Sequence, residues 1–272
     1  MGIKQSGVPG GAAIAAAILP TVALMTTWRW ALGGTGLVIM VLGLFVGWLL
    51  RRSIPEGRSG RLEAGAQHTM RAHVWRRDIL LLIASQVCLL FAQFAFVAYL
   101  ALYLTETLLF SVVLAGLCLS LAQATAWVGR IGWGVLSDRV LGGNRRISFG
   151  IMALLATMFM FLISLTSIDT PVWVIVGVSV AFGLTGLSWG PTFLNCMTEM
   201  AGPAMAGTAV GLGVGIGYAV NIAGVPFLGY LADWTGTYQA TWRFAAVCAL
   251  VGFILIVLAG QCKEDYAWGS VT

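Results

Sequence analysis

Charge is what this sequence has least of. Of its 272 residues only 9% are Asp, Glu, Lys or Arg, with 10 carboxylates and 2 histidines in the whole chain. Both histidines, His68 and His73, fall in one hydrophilic segment, where a solvated surface is the ordinary reading. The carboxylates are almost confined to loops as well, so an intramembrane hydrolase or metalloprotease lacks its acid, base and ligand parts. No catalytic residue, no metal ligand and no cofactor is expected. The five cysteines are never closer than 14 residues apart, which excludes a CxxC metal or redox pair and leaves most of them as small packing residues inside apolar segments. Runs such as Ile79-Leu80-Leu81-Leu82-Ile83 contradict the dyad alternation of a membrane β-barrel strand.

What is present is apolar: 59% hydrophobic residues, 35 glycines and a mean hydropathy of +0.93. No soluble globular domain has that balance. The sparse charges leave eight uninterrupted intervals, 5–28, 30–50, 79–105, 107–129, 147–168, 170–198, 200–232 and 244–262. A hydrocarbon core of roughly 30 Å needs about 20 apolar helical residues to cross it, and each interval holds 19 or more. The expected fold class is therefore an all-α membrane protein with eight transmembrane helices.

Orientation follows from the basic residues. With a cytoplasmic amino terminus, 13 Lys and Arg residues fall inside and two, Arg29 and Arg243, outside. That asymmetry is the positive-inside signal. It accounts for the net charge of +5 without a nucleic-acid partner, and it puts both termini in the cytoplasm. The segment 51–78 carries seven arginines among Pro55, Gly57, Gly60 and Gly65. It reads as a basic cytoplasmic linker between two helical groups, with the lipid bilayer as its neighbour.

An internal repeat sets the unit length. Thr27-Trp28-Arg29-Trp30-Ala31 recurs as Thr241-Trp242-Arg243-Phe244-Ala245 at an offset of 214 residues, each copy expected in an external loop before a final span. Six spans separate the copies, so the unit is six helices long. Projecting the complete unit back by 214 residues from Ile79 reaches about position −135, which implies four helices before Met1.

Three local signals carry a family resemblance. The first is Gly129-Arg130-Ile131-Gly132-Trp133-Gly134-Val135-Leu136-Ser137-Asp138-Arg139, followed by Gly142-Gly143-Asn144-Arg145-Arg146. The second is the stretch Gly2 to Gly11, with Gly7-Val8-Pro9-Gly10-Gly11 at its end, and the third is the glycine-rich seventh span with Gly207, Gly211, Gly213, Gly215 and Gly217. Together they resemble the major facilitator superfamily of secondary transporters, whose halves each carry a Gly-x-Leu-x-Asp-Arg loop signature. The resemblance implies that this chain is helices 5 to 12 of a twelve-helix bundle protein. Residues 1–50 would be the last two helices of the amino-terminal bundle, 51–78 the linker, 79–262 the complete carboxy-terminal bundle and 263–272 a cytoplasmic tail. Gly134, Asp138, Arg139, Arg145 and Arg146 would form the loop signature, with Asp138 accepting from backbone N–H groups near Ser6 and Gly7 at the first span's positive end. Gly7, Gly11, Gly207, Gly211 and Gly215 would be helix-packing positions.

Polar residues inside spans are costly and mark the bundle interior or a water-filled path. Gln86 and Gln93 share a face of the third span. Ser120, Gln123, Trp127 and Arg130 share one of the fourth. In the sixth, Thr185, Ser188, Thr192, Asn195 and Glu199 form a stripe expected to run unbroken along one side, and the seventh adds Tyr218 and Asn221. The resemblance puts the third and sixth spans on the central cavity. The expected solute pathway is thus Gln86, Gln93, Gln123, Arg130, Thr185, Ser188, Asn195, Tyr218 and Asn221, although interhelical hydrogen bonding would explain the same residues.

The function implied is secondary active transport of a small solute by alternating access, coupled to a proton or another ion, in the inner membrane of a bacterium. Arg130 and the Gly2 to Gly11 stretch point toward an organic anion, although Arg130 could equally serve only the loop signature. The chain reads as truncated at its amino end and inactive alone. The rival readings are a self-sufficient eight-helix protein that completes its cavity by oligomerising and, behind it, a membrane-embedded enzyme.

Overall fold

The computed structural model describes residues 7–51, 76–202 and 205–259. Most of the 51–78 linker, the 263–272 tail, both histidines and Gly2 to Ser6 lie outside the described residues. Among those described there is no strand. The helices are α1 (Gly7–Met25), α2 (Trp28–Arg51), α3 (Arg77–Leu102), α4 (Val112–Arg139), α5 (Arg145–Ser164), α6 (Val172–Gly186), α7 (Gly190–Ala201), α8 (Ala206–Thr235) and α9 (Tyr238–Leu258). A π-helical turn, Tyr103–Thr107, ends α3.

Helices α6 and α7 together make one span, Val172–Ala201, so the described residues hold eight helical spans long and apolar enough to cross a membrane, in step with the charge-free intervals. In hydrocarbon each backbone N–H and C=O must bond within its own segment, which leaves the helix as the answer to an unbroken apolar run. Polar residues then mark the ends. Ser111 starts α4 by accepting from the Leu114 amide at 3.2 Å, and Asn144 starts α5 by accepting from Ile147 at 3.2 Å. Between α4 and α5 the chain turns through Gly142 and Gly143, both at positive φ (59° and 77°), a region that glycine enters without steric cost.

The buried core runs from Ile79 to Ala259 and takes no residue from α1 or α2. Helix α9 packs against α5 and α3, α8 against α3, and α6 between α4 and α5. Phe96 stacks on Phe182 at 4.4 Å, Tyr103 meets Trp242 edge-on at 5.6 Å, and Trp189 packs between Phe149 and Phe193. Helix α1 lies along α4, tied by Ser120 Oγ, which donates to the Ala13 carbonyl at 2.8 Å. Helix α2 leans on α1, with Ala31 buried and the large apolar side chains Leu37, Ile39, Leu42 and Phe45 facing outward. Outward Leu, Ile and Val side chains recur on the other spans, as a bilayer solvent permits.

Two details differ from the sequence reading. The second copy of the Thr-Trp-Arg repeat lies inside α9, where Thr241 is buried and donates to the Leu228 carbonyl at 3.1 Å. Cys88, Cys118 and Cys248 are free thiols within spans, whereas Cys196 is disulfide-bonded.

Candidate functional site

The sixth span is where the backbone departs from a regular helix. Its middle reads Gly183-Leu184-Thr185-Gly186-Leu187-Ser188-Trp189-Gly190-Pro191, a run of glycines closed by a proline at the start of α7. Pro191 has no N–H, so the Leu187 carbonyl four residues earlier loses its helical donor. The Leu187 amide reaches five residues back, to Phe182 O at 3.3 Å, and the Ser188 amide three back, to Thr185 O at 3.1 Å. The carbonyls of Gly183 and Leu184 are bypassed as a result. Three acceptors are thus released inside an apolar span, where an unmet carbonyl costs several kcal/mol.

Each finds a side-chain donor, and α4 supplies two of the three. Trp133 Nε1 donates to Leu184 O at 2.7 Å. Arg130 donates to Leu187 O through both Nε (3.4 Å) and Nη2 (3.2 Å). Ser188 Oγ turns back on Gly183 O at 2.8 Å, with Ala126 O of α4 at 3.2 Å as its alternative acceptor. Ala122, Ala126, Gly129, Arg130 and Trp133 recur at the spacing of one helical face. The approach is close enough to demand glycine on both sides. A methyl on Gly129 would run into the Ser188 side chain and the Leu184 carbonyl, and one on Gly183 into the Ala122 carbonyl and Thr125. Arg130 is only 8% exposed, a cation within a span, about 13 Å of helix from the end of α4 at 1.5 Å per residue.

The other pathway candidates are spread over several helices. Gln123 lines a cavity of about 530 Å³ with Pro20, Trp28, Val97 and Leu119, where α1 and α2 face α3 and α4. Tyr218 is half-exposed, edge-on to Phe94 at 5.9 Å, and within electrostatic range of the Arg130 guanidinium. Gln93 is half-buried on α3. Gln86 and Asn221 sit instead in the seam between α3 and α8: Gln86 packs against Gly213 and Gly217, and Asn221 Nδ2 donates to the Gly217 carbonyl at 2.9 Å.

The polar stripe of the sixth span is interrupted, because its helix breaks after Gly186. Thr185 is buried and bonds its own helix at Ala181 O (3.0 Å), Ser188 serves the break, Thr192 is buried beside Met152, and Asn195 is half-buried. Glu199 belongs to another cluster.

That cluster gathers the loop signature. Arg145 Nη2 meets Asp138 Oδ1 at 3.0 Å and Arg145 Nε meets Glu199 Oε1 at 2.7 Å, which joins the end of α4, the start of α5 and the end of α7. Asp138 takes Arg145 as a partner, and Ser6, where the first span's amides were expected to meet it, lies outside the described residues. Arg146 Nε donates to Ile256 O at 2.9 Å and its Nη2 to Val257 O, closing the carboxy end of α9. Arg139 is exposed in the last turn of α4, where a cation suits the helix dipole. Gly134, Gly7, Gly11, Gly207, Gly211 and Gly215 face open space in this chain, and the close seam of α3 with α8 is made by Gly213 and Gly217.

Comparison with known proteins gives this architecture its context. The sequence profile of the Major Facilitator Superfamily matches residues 1–217. Bovine monocarboxylate transporter 13 is 28% identical over 145 residues, 53% of this chain and 33% of that protein. An uncharacterised MFS-type transporter of Mycobacterium tuberculosis is 25% identical over 262 residues, 94% of this chain and 56% of its own length. The solved fucose:proton symporter FucP of E. coli superposes with a TM-score of 0.64 at 16% identity, covering 86% of this chain and 57% of that one. The chain spans between a third and just over half the length of these relatives. Relatives and fold alike are those of transporters, not enzymes.

Proposed function

The chain belongs to the Major Facilitator Superfamily, and we propose on that footing that it forms the last eight helices of a secondary active transporter that moves a small organic anion by alternating access. In this reading α1 and α2 end the amino-terminal bundle, 51–78 is the linker, 79–262 is the carboxy-terminal bundle and 263–272 its tail. Transport needs one bundle to rock against the other, so the activity belongs to the two-bundle protein. The membrane is a bacterial plasma membrane with both termini cytoplasmic, a reading that the distribution of basic residues supports: with Arg130 inside a span, 12 others fall on the inner side and Arg29 and Arg243 on the outer.

The observation that carries the anion is Arg130, a guanidinium buried in the fourth span, within electrostatic range of Tyr218. A permanent cation is expensive inside a membrane protein and marks a solute or ion path by default, and its planar fork matches a carboxylate. Gln93, Gln123 and Tyr218 are assigned to the same pathway as neutral hydrogen-bonding groups. A relative named as a monocarboxylate transporter supports the same class. A neighbour named as a proton symporter supports coupling to a proton, for which the described spans offer Glu106, Glu199 and Asp233 at their ends.

The test is binding by the protein purified from its source membranes, read by tryptophan fluorescence. Lactate and succinate quench saturably, fucose does not, and Arg130→Gln removes the response. Saturable fucose binding without a carboxylate response would reject the anion.

A further inference from the structure

The broken span and the buried cation are bound to one another, and that bond has a chemical weakness. Arg130 spends two donors on one carbonyl, at 3.4 and 3.2 Å, longer than the roughly 2.7–2.9 Å of a charge-assisted N–H to carboxylate bond. A carboxylate offers two charged oxygens in the spacing of the guanidinium fork, so it is the stronger acceptor for the same two hydrogens. We propose that Arg130 is an exchanger: it holds the Leu187 carbonyl while the site is empty and surrenders it to the carboxylate of the bound solute, so that binding releases the break between α6 and α7. The inference rests on the anionic reading of the solute.

The consequence for the backbone follows from Pro191. In an ordinary helix a carbonyl that lost a side-chain partner would fall back on the amide four residues ahead. At Leu187 that residue is Pro191, which has no N–H to give. Once Arg130 turns to the solute, the segment Leu187–Trp189 has to move to find a new donor for its carbonyl. The neighbouring clasps stay in place, since Trp133 holds Leu184 O and Ser188 holds Gly183 O, so the freedom is local to the hinge. Helix α7 is the lever beyond it, with Glu199 in its last turns paired to Arg145 and, through it, to Asp138 of α4. A neutral solute of the same size offers the guanidinium no charged acceptor to take in exchange for the carbonyl, so it does not trip the hinge.

The experiment is amide hydrogen exchange of peptides covering Gly183–Phe193 in the detergent-purified protein from source membranes, without solute, with saturating lactate or succinate, and with fucose. Solute occupancy is followed in parallel by tryptophan fluorescence. Exchange at the Leu187, Ser188 and Trp189 amides should rise about fivefold with the carboxylates, the factor set by one hydrogen bond's net contribution, and not with fucose. Arg130→Gln should exchange fast without solute and ignore lactate, whereas Trp133→Phe should raise basal exchange yet keep the lactate response, because the exchanging pair is intact. The unmodified protein alone decides the matter should a variant fail to fold. Lactate and succinate that bind and leave exchange unchanged or slower overturn the exchanger while the anionic reading stands. Fucose that loosens the same amides overturns it as well. Carboxylates that do not bind at all overturn both readings together.

Discussion

Arg145 grips Glu199 at 2.7 Å and so fastens the start of α5 to the end of α7, across the turn from the hinge. Asp138 shares the same guanidinium at 3.0 Å but is more open to solvent, 57% against 31% for the Glu199 side chain.

The two carboxylates should therefore differ in worth. Glu199→Gln is expected to lower stability by about 1 kcal/mol and Asp138→Asn by less than about 0.5, because exposure screens an ion pair. Thermal unfolding in one detergent, followed by tryptophan fluorescence, compares them. An equal or larger loss at Asp138 contradicts the ranking.

Arg146 closes α9 through the carbonyls of Ile256 and Val257. Arg146→Ala should cost about 1–2 kcal/mol, a charged donor lost from two terminal acceptors, and amide exchange should rise in the last turn of α9 before it rises elsewhere. Exchange that rises uniformly along α9 would show that the cap holds no local end.

A helix interior normally gains from replacing glycine by alanine, by roughly 0.5–1 kcal/mol. In α6 the outcome should split by position. Gly177 faces open space, whereas a methyl on Gly183 meets the Ala122 carbonyl of α4. Gly177→Ala should be neutral or stabilising, and Gly183→Ala destabilising by about 1–3 kcal/mol through overpacking. Equal melting points for the two variants would mean that α4 and α6 separate more freely than the close approach requires.

How much of this could be read from the residues depends on the range of the interaction. The spans are legible because a membrane helix announces itself within its own 20 or so residues, and each of the eight charge-free intervals has its counterpart among the eight spans of the described residues. The break in the sixth span left a local signal, Gly183, Gly186, Gly190 and Pro191 within nine residues, yet a run of 29 uncharged residues, 170–198, reads as one helix when charge alone is counted. Helical spacing then drew Thr185, Ser188 and Asn195 into a stripe that the break dissolves. Counting charge alone ends the fourth span at 129 and leaves Arg130 among the cytoplasmic basic residues, whereas the helix runs on to Arg139 and buries it. Its partner was not legible either, because the carbonyl of Leu187 is an acceptor only through the missing N–H of Pro191, and that proline lies 61 positions along the chain. The Arg145–Glu199 pair, 54 positions apart, is a tertiary fact of the same kind.

Orientation is open to direct labelling. Cysteines placed at Arg139 and Arg146 should react with an impermeant maleimide only after the inner face is exposed, and one at Asp169 from outside, with the native cysteines replaced by alanine. The reverse pattern would invert the topology that the basic residues imply.

Transport of a carboxylate through Arg130 is tested by lactate counterflow in proteoliposomes made with the protein from its source membranes, Arg130 intact or replaced by glutamine. Saturable, carboxylate-selective exchange is expected, with succinate competing and Arg130→Gln abolishing it without loss of folded protein. Counterflow of fucose in place of lactate, or lactate exchange indifferent to Arg130, would contradict it.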